Sequence, residues 1–134
     1  MNNYSDIQEL LKVDLQKTDK ALISSLSSNV ALINTMSNYI ISAGGKRIRP
    51  LLLLLSARAT KYNGEQHHIM AVVIELIHTA TLLHDDIVDE SRTRRGRNTA
   101  NEVWGNAASV LVGDFLYSRA FELMVEIDSM SIMK

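Results

Sequence analysis

Between residues 82 and 100 the chain reads LLHDDIVDESRTRRGRNTA, which sets Asp85, Asp86 and Asp89 a few positions ahead of Arg92, Arg94, Arg95 and Arg97. On a helix, at about 100° and 1.5 Å per residue, Asp85 and Asp89 fall one turn apart on a stripe shared with His78, with Asp86 to one side. Carboxylates at that spacing repel one another unless a cation lies between them. Their oxygens are hard ligands suited to Mg²⁺, which takes one or two carboxylates together with substrate phosphate oxygens. No cysteine or clustered histidine supplies softer ligands there, so zinc chemistry is not indicated at this cluster. The plainer reading is a solvated helix end. Against it, acids at a helix C-terminus oppose the helix dipole and cost stability.

The arginines suit a different ligand. Each guanidinium can grip a phosphate with two parallel hydrogen bonds. Alternatively, they form weak surface ion pairs with Asp86, Asp89 and Glu90. A second basic segment, GGKRIRP at residues 44–50, places Lys46 and Arg49 three apart at a helix start, beside backbone amides that favour anions. It does not have the spacing of a P-loop, and its plainer reading is a solvated loop. His78 on an apolar helix face is either a core histidine or part of the same site. Two anion sites and one Mg²⁺ site in a small domain point to two diphosphate ligands. One is held through metal by the aspartates, the other directly by cationic side chains.

Helices must position these groups. Apolar residues recur at helical spacing nearly throughout: an opening segment over Leu10–Leu15, a long second one from Ala21 to Ile40, then LLLLLSARATKY, buried on most sides. Gly44 and Gly45 are suited to ending the second helix and Pro50 to the first turn of the next. Asn63-Gly64 marks a turn. Residues 66–90 form the longest helical pattern and carry the acids. Residues 100–127 form another long apolar helix, with Asp114 inside it. No strand-like alternation bounded by turn signals is present, so the expected class is all-α, an antiparallel helical bundle. Helices apolar around most of their circumference need neighbours on several sides, either further chain or another copy.

The bulk properties exclude several functions. With 134 residues, 46% hydrophobic and 22% charged, the chain has the composition of one ordinary globular domain. A net charge of −1 provides no global field for nucleic acid, so charge-based function must be local. No cysteine means no disulfide framework. The polar N-terminus is not a signal peptide, and the longest apolar run, Leu51–Leu55, is far too short for a transmembrane segment. The expectation is a soluble cytoplasmic protein.

Three segments in order, GGKRIRP, LIHTATLLHDDIVDESRTRRGR and WGNAASVLVGDFLYSRAF, resemble the N-terminal part of the trans-polyprenyl diphosphate synthases, in particular the long-chain bacterial members of the octaprenyl type. The resemblance runs from about Ser24 onward. It implies long helices around a deep cavity, and head-to-tail addition of isopentenyl diphosphate to an allylic diphosphate such as farnesyl diphosphate, feeding quinone side chains. By matching positions it implies that Lys46, Arg49, His78 and Arg95 bind isopentenyl diphosphate. Asp85 and Asp89, supported by Asp86, hold Mg²⁺ that bridges to the allylic diphosphate, which Arg94 contacts. Ala80 and Thr81, small residues one turn before the acids, imply a deep tunnel and a long product. The family's second aspartate-rich motif has no match in residues 90–134. Residues 1–134 are therefore expected to be the N-terminal portion of a single helical domain, associating as a homodimer or larger oligomer. Two other readings exist: a helical regulatory subunit that pairs with a synthase, and an HD-type metal phosphohydrolase built on His84-Asp85 with His67, His68 and Asp114.

Overall fold

The computed structural model describes residues 3–134. Its elements in order are α1 (Tyr4–Leu10), α2 (Lys12–Ser25), α3 (Ala31–Ser42), α4 (Ile48–Ala59), α5 (Gln66–Val88), β1 (Thr93–Arg94), β2 (Arg97–Asn98), α6 (Ala100–Trp104), α7 (Asn106–Ile127) and α8 (Met130–Met133). The all-α expectation holds, with three local corrections.

The long second helix is two helices. After Ser25 the chain leaves helical geometry through Leu26–Val30, where Asn34 folds back: its Nδ2 donates to the Ser28 carbonyl at 2.7 Å and its Oδ1 accepts from the Ser28 amide at 3.0 Å. Asparagine and serine offer the backbone a local alternative to the helix ladder, and here they take it. The helix over 100–127 is likewise divided, at Gly105, whose φ of 86° and ψ of 163° are accessible essentially to glycine alone. The third correction is a strand pair where none is predicted. Thr93 pairs with Asn98 and Arg94 with Arg97 in an antiparallel ribbon. Its two-residue turn, Arg95-Gly96, has φ of 52° and 75°. Two successive positive φ values are what a tight hairpin turn with the natural strand twist requires, and the glycine lowers its cost.

α5 is the hub, packing most extensively on α7 and also on α4 and α2. Its inward face, Val72, Val73, Leu76, Ala80 and Leu83, meets Val112, Leu116, Ala120 and Leu123 of α7, with Leu22 and Met36 closing the cluster from α2 and α3. A smaller cluster of Leu11, Leu51, Leu54 and Ala71 joins α4 to α2 and α5. At about 25 cal/mol per Å² of apolar surface, each fully buried leucine here contributes roughly 2 kcal/mol before entropy is counted. The leucine run is less enclosed than its composition suggests: Leu51 and Leu54 are buried, but Leu52 is 55% exposed. Leu111, Phe121 and Val125 likewise face outward from α7. No helix is long and apolar enough to cross a membrane among the described residues.

Candidate active site

The two basic segments, 46 residues apart in the sequence at Arg49 and Arg95, come together at one cavity of about 530 Å³. One wall is the α3–α4 loop with the start of α4. The opposite wall is α5 from Glu75 to Asp86, and the hairpin β1–β2 closes the rim. Ile40, Ile41, Leu82 and Leu83 make its apolar floor. Lys46, Arg47, Arg49, Arg94, Arg95 and Arg97 bring cationic side chains to it, against the carboxylates of Glu75 and Asp86 alone.

Both carboxylates are already engaged. Arg47 Nη1 donates to Glu75 Oε1 at 3.2 Å, with both side chains largely buried. Arg94 donates from Nη2 to Asp86 Oδ1 at 2.7 Å and from Nε to both carboxylate oxygens at 3.2 Å. Asp86 is buried, and its hydrogen bonding holds the Arg94 guanidinium above its ordinary pKa despite partial burial. Lys46, Arg49, Arg95 and Arg97 therefore remain without a carboxylate partner among the described residues. This is a strongly positive pocket on a chain whose net charge is −1.

Three of these cations, Arg49, Arg95 and Arg97, are held by neutral groups. Arg49 Nη1 lies 3.0 Å from His78 Nε2. Partial burial and then the positive charge of Arg49 depress the His78 pKa; Glu75 opposes them, and Arg94 and Arg95 add smaller lowering contributions. A neutral His78 accepts at Nε2 and so carries its proton on Nδ1. Arg95 donates from Nη1 to the Gly44 carbonyl, which latches the hairpin to the glycine loop. Gly45 has a steric reason to lack a side chain: a Cβ there would collide with the Arg95 guanidinium. Gly44, at φ 72°, turns the chain after α3. Tyr4 Oη donates to the Lys46 carbonyl and ties the loop to α1. Arg97 stacks over Tyr39, with Cζ 4.2 Å from the ring centroid, while Tyr39 Oη donates to the Asn98 carbonyl at 2.9 Å.

The aspartates divide. Asp85 and Asp89 are exposed at the end of α5, Asp89 being its C-cap, and neither carboxylate has a hydrogen-bond or ion-pair partner among the described residues. Asp86, one position on, turns toward the cavity and serves Arg94. In this structure Asp86 is engaged by Arg94 rather than set beside Asp85 and Asp89, because one residue along a helix rotates the side chain by about 100°. Ala80 is wholly buried in the α5–α7 core, and Thr81 is half-buried with Oγ1 donating to the His78 carbonyl at 2.7 Å; neither lines the cavity. The sequence reading does not single out Arg47, Glu75 or Tyr39, and it names Arg97 only as one of the clustered arginines. Arg47 had a signal in its own segment, GGKRIRP, but its left-handed φ of 49° and its partner on α5 are visible only in three dimensions.

The HD-type constellation does not assemble. His84 Nε2 is 3.6 Å from Asp114 Oδ1, whereas His67 and His68 stand at the opposite end of α5. Sixteen to seventeen residues of helix separate them, about 25 Å.

An all-helical bundle with a cationic pocket on one side of its central helix and free carboxylates at that helix's end is the class this molecule defines. The family model described as Polyprenyl synthetase matches residues 30–134. The chain belongs to the polyprenyl synthetase family. It is 52% identical over 132 residues to the octaprenyl diphosphate synthase of Escherichia coli K12, matching 98% of this chain and 41% of that protein. It is 47% identical to an all-trans-nonaprenyl-diphosphate synthase (geranyl-diphosphate specific) of Rhodobacter capsulatus, covering 96% of this chain and 40% of that one. A crystal structure of a polyprenyl synthase from Caulobacter crescentus, complexed with calcium and isoprenyl diphosphate, superposes with a TM-score of 0.94 at 44% identity, covering 98% of this chain and 40% of that one. This chain thus spans about two fifths of the length of these relatives.

Proposed function

We propose that this chain provides the diphosphate-binding portion of a long-chain trans-polyprenyl diphosphate synthase, which adds isopentenyl diphosphate head-to-tail to an allylic diphosphate such as farnesyl diphosphate. One observation carries the reading: four cationic side chains without carboxylate partners converge on a cavity with an apolar floor. Lys46, Arg49 and Arg95 bind the diphosphate of isopentenyl diphosphate, with His78 orienting Arg49 as a neutral acceptor. Arg94, aimed by Asp86, meets the allylic diphosphate with its remaining N–H groups.

The unpartnered carboxylates of Asp85 and Asp89 have the donor chemistry of a hard-cation site and fit Mg²⁺. When bound, Mg²⁺ neutralises charge on the allylic diphosphate as it leaves. Arg94 would contribute to the same charge stabilisation through its N–H groups not used by Asp86. The allylic carbon–oxygen bond breaks, the double bond of isopentenyl diphosphate supplies the electron pair of the new carbon–carbon bond, and a proton passes to the released diphosphate. Ile40, Ile41, Leu82 and Leu83 keep water from the allylic cation. The product is of octaprenyl length, and the working form is a homodimer or larger oligomer in the cytoplasm, which covers the apolar face of α7.

The test has two arms. Calorimetry of the chain with inorganic diphosphate should show binding that Arg49→Gln and Arg95→Gln each weaken about tenfold. Incubation with farnesyl diphosphate, isopentenyl diphosphate and Mg²⁺, alone and as a fusion to the C-terminal portion of a family relative, should give long polyprenyl products in the fusion. Diphosphate binding indifferent to both arginines, or a folded fusion without products, overturns the reading.

A further inference from the structure

Far from the cavity, Asp14 of α2 meets His67 and His68 in the first turn of α5, with one ligand atom from each within 4.8 Å of the others. Their side chains are 14%, 15% and 7% exposed, so this is an enclosed contact between helices. Its hydrogen bonding does not close with neutral imidazoles. His68 Nδ1 lies 3.2 Å from the Glu65 carbonyl, and His68 Nε2 lies 3.1 Å from Asp14 Oδ1. Both neighbours are acceptors, but a neutral ring carries only one N–H. Both oxygens of Asp14 are engaged, Oδ1 by His68 and Oδ2 by the Arg58 guanidinium at 3.0 Å.

His67 is less satisfied still. Its Nδ1 is buried without a partner, and its Nε2 stops 3.8 Å from the same Asp14 Oδ1. A second proton on both rings is no remedy, because the rings, tilted by 39°, have centroids 3.8 Å apart and two imidazolium charges would repel there. Of the remaining charges, Arg58 Nε donates to the other carboxylate oxygen, Oδ2, at 3.0 Å, and Glu65, paired with Lys17 at the rim, brings Oε2 to 3.7 Å from His68 Nδ1. Oδ1 is left facing two Nε2 atoms.

We infer that Asp14 Oδ1, His67 Nε2 and His68 Nε2 form a site for a divalent transition-metal ion of the Zn²⁺ class, separate from the aspartates of the diphosphate site. Two imidazoles and one carboxylate are a common donor set for such ions. With metal–ligand bonds of about 2.0–2.1 Å, neighbouring ligand atoms of a tetrahedron lie about 3.3 Å apart. The separations from Oδ1, 3.1 Å and 3.8 Å, bracket that value. The outer contacts also suit a metal site: Glu65 O fixes the His68 proton on Nδ1, and Arg58 orients the carboxylate through its other oxygen. The ion would clamp α2 to the start of α5 and thereby hold the smaller core cluster from one side.

The experiment uses the whole chain after chelator treatment and dialysis. Titration with Zn²⁺ should show one ion per chain and a raised Tm, and Co²⁺ should give visible d–d bands. His67→Gln and Asp14→Asn should weaken Zn²⁺ binding by about 100-fold, and Arg58→Gln, at a more exposed position, by about tenfold. A double variant, Asp85→Asn with Asp89→Asn, should leave the Zn²⁺ titration unchanged. Circular dichroism checks the fold of each variant, and Arg58→Gln provides the reading if a ligand variant unfolds. No saturable Zn²⁺ binding, or binding lost in the Asp85/Asp89 variant but kept in His67→Gln and Arg58→Gln, overturns the inference and leaves an ordinary imidazolium–carboxylate pair.

Discussion

Replacing Asp86 with asparagine should destabilise the chain even though the two side chains have nearly the same shape. Asp86 is 4% exposed and accepts from two separate donors of Arg94. Charge-assisted hydrogen bonds contribute about 1.5–3 kcal/mol each, giving an upper figure of about 3–6 kcal/mol for the pair. Breaking a fully buried ion pair costs about 3–5 kcal/mol. The Arg94 side chain is 42% exposed, so water recovers part of its solvation when the partner is lost. The expected loss is therefore about 2–3 kcal/mol, roughly 6–10 °C in Tm for a chain of this size. Urea unfolding of Asp86→Asn, Arg94→Gln and the double variant would measure it through a double-mutant cycle. The double variant should be less destabilised than the sum of the singles, with a coupling of about 1–2 kcal/mol. Additive losses, or a loss below about 0.5 kcal/mol for Asp86→Asn, would show that the pair does not hold the hairpin to α5 and would refute the positioning role of Asp86.

Gly45→Ala should leave stability within about 1 kcal/mol, since the lower conformational entropy of the unfolded chain offsets loss of a partly exposed hydrogen bond, yet it should displace Arg95 and weaken diphosphate binding about tenfold by calorimetry. Stability should fall as pH drops from about 7.5 to 5.5, because the depressed His78 pKa means the unfolded state takes up its proton first, near 6.5; His78→Gln should flatten that slope in urea midpoints. A second loss should begin below about pH 4, where unfolded Asp14, with an ordinary value of 3.8, protonates before the folded group does. Ala80→Phe should cost about 1–3 kcal/mol through overpacking of a position with no exposed surface, so a shortened product in the full-length fusion is best read from half-buried Thr81→Phe, with products resolved by length; unchanged length in a folded Thr81→Phe enzyme would exclude Thr81 from the tunnel.

Much of this molecule is legible before it is folded. Helical periodicity identifies α5 to within two residues of its end, and the GGKRIRP and DDIVDESRTRR segments announce cations and carboxylates by composition. The interruptions are harder. Residues 26–30 and Gly105 divide predicted helices because side-chain bonds of Asn34 and one glycine conformation decide them, and neither alters the apolar period. The hairpin is hidden because two-residue strands carry no alternation to detect.

Residue types and spacing, by themselves, determined that the chain is helical, that acids end its longest helix, and that two basic segments are available for anions. Those properties follow from local chemistry and from the 3.6-residue period. Tertiary structure alone decided which charges are already neutralised. Asp86 and Glu75 are engaged by Arg94 and Arg47, so among the described residues Lys46, Arg49, Arg95 and Arg97 face the cavity without carboxylate partners. It also decided that Asp14 meets His67 and His68 across more than fifty residues of chain. Coulomb energy depends on separation in space and on burial, and the linear order of residues specifies neither until the helices have packed.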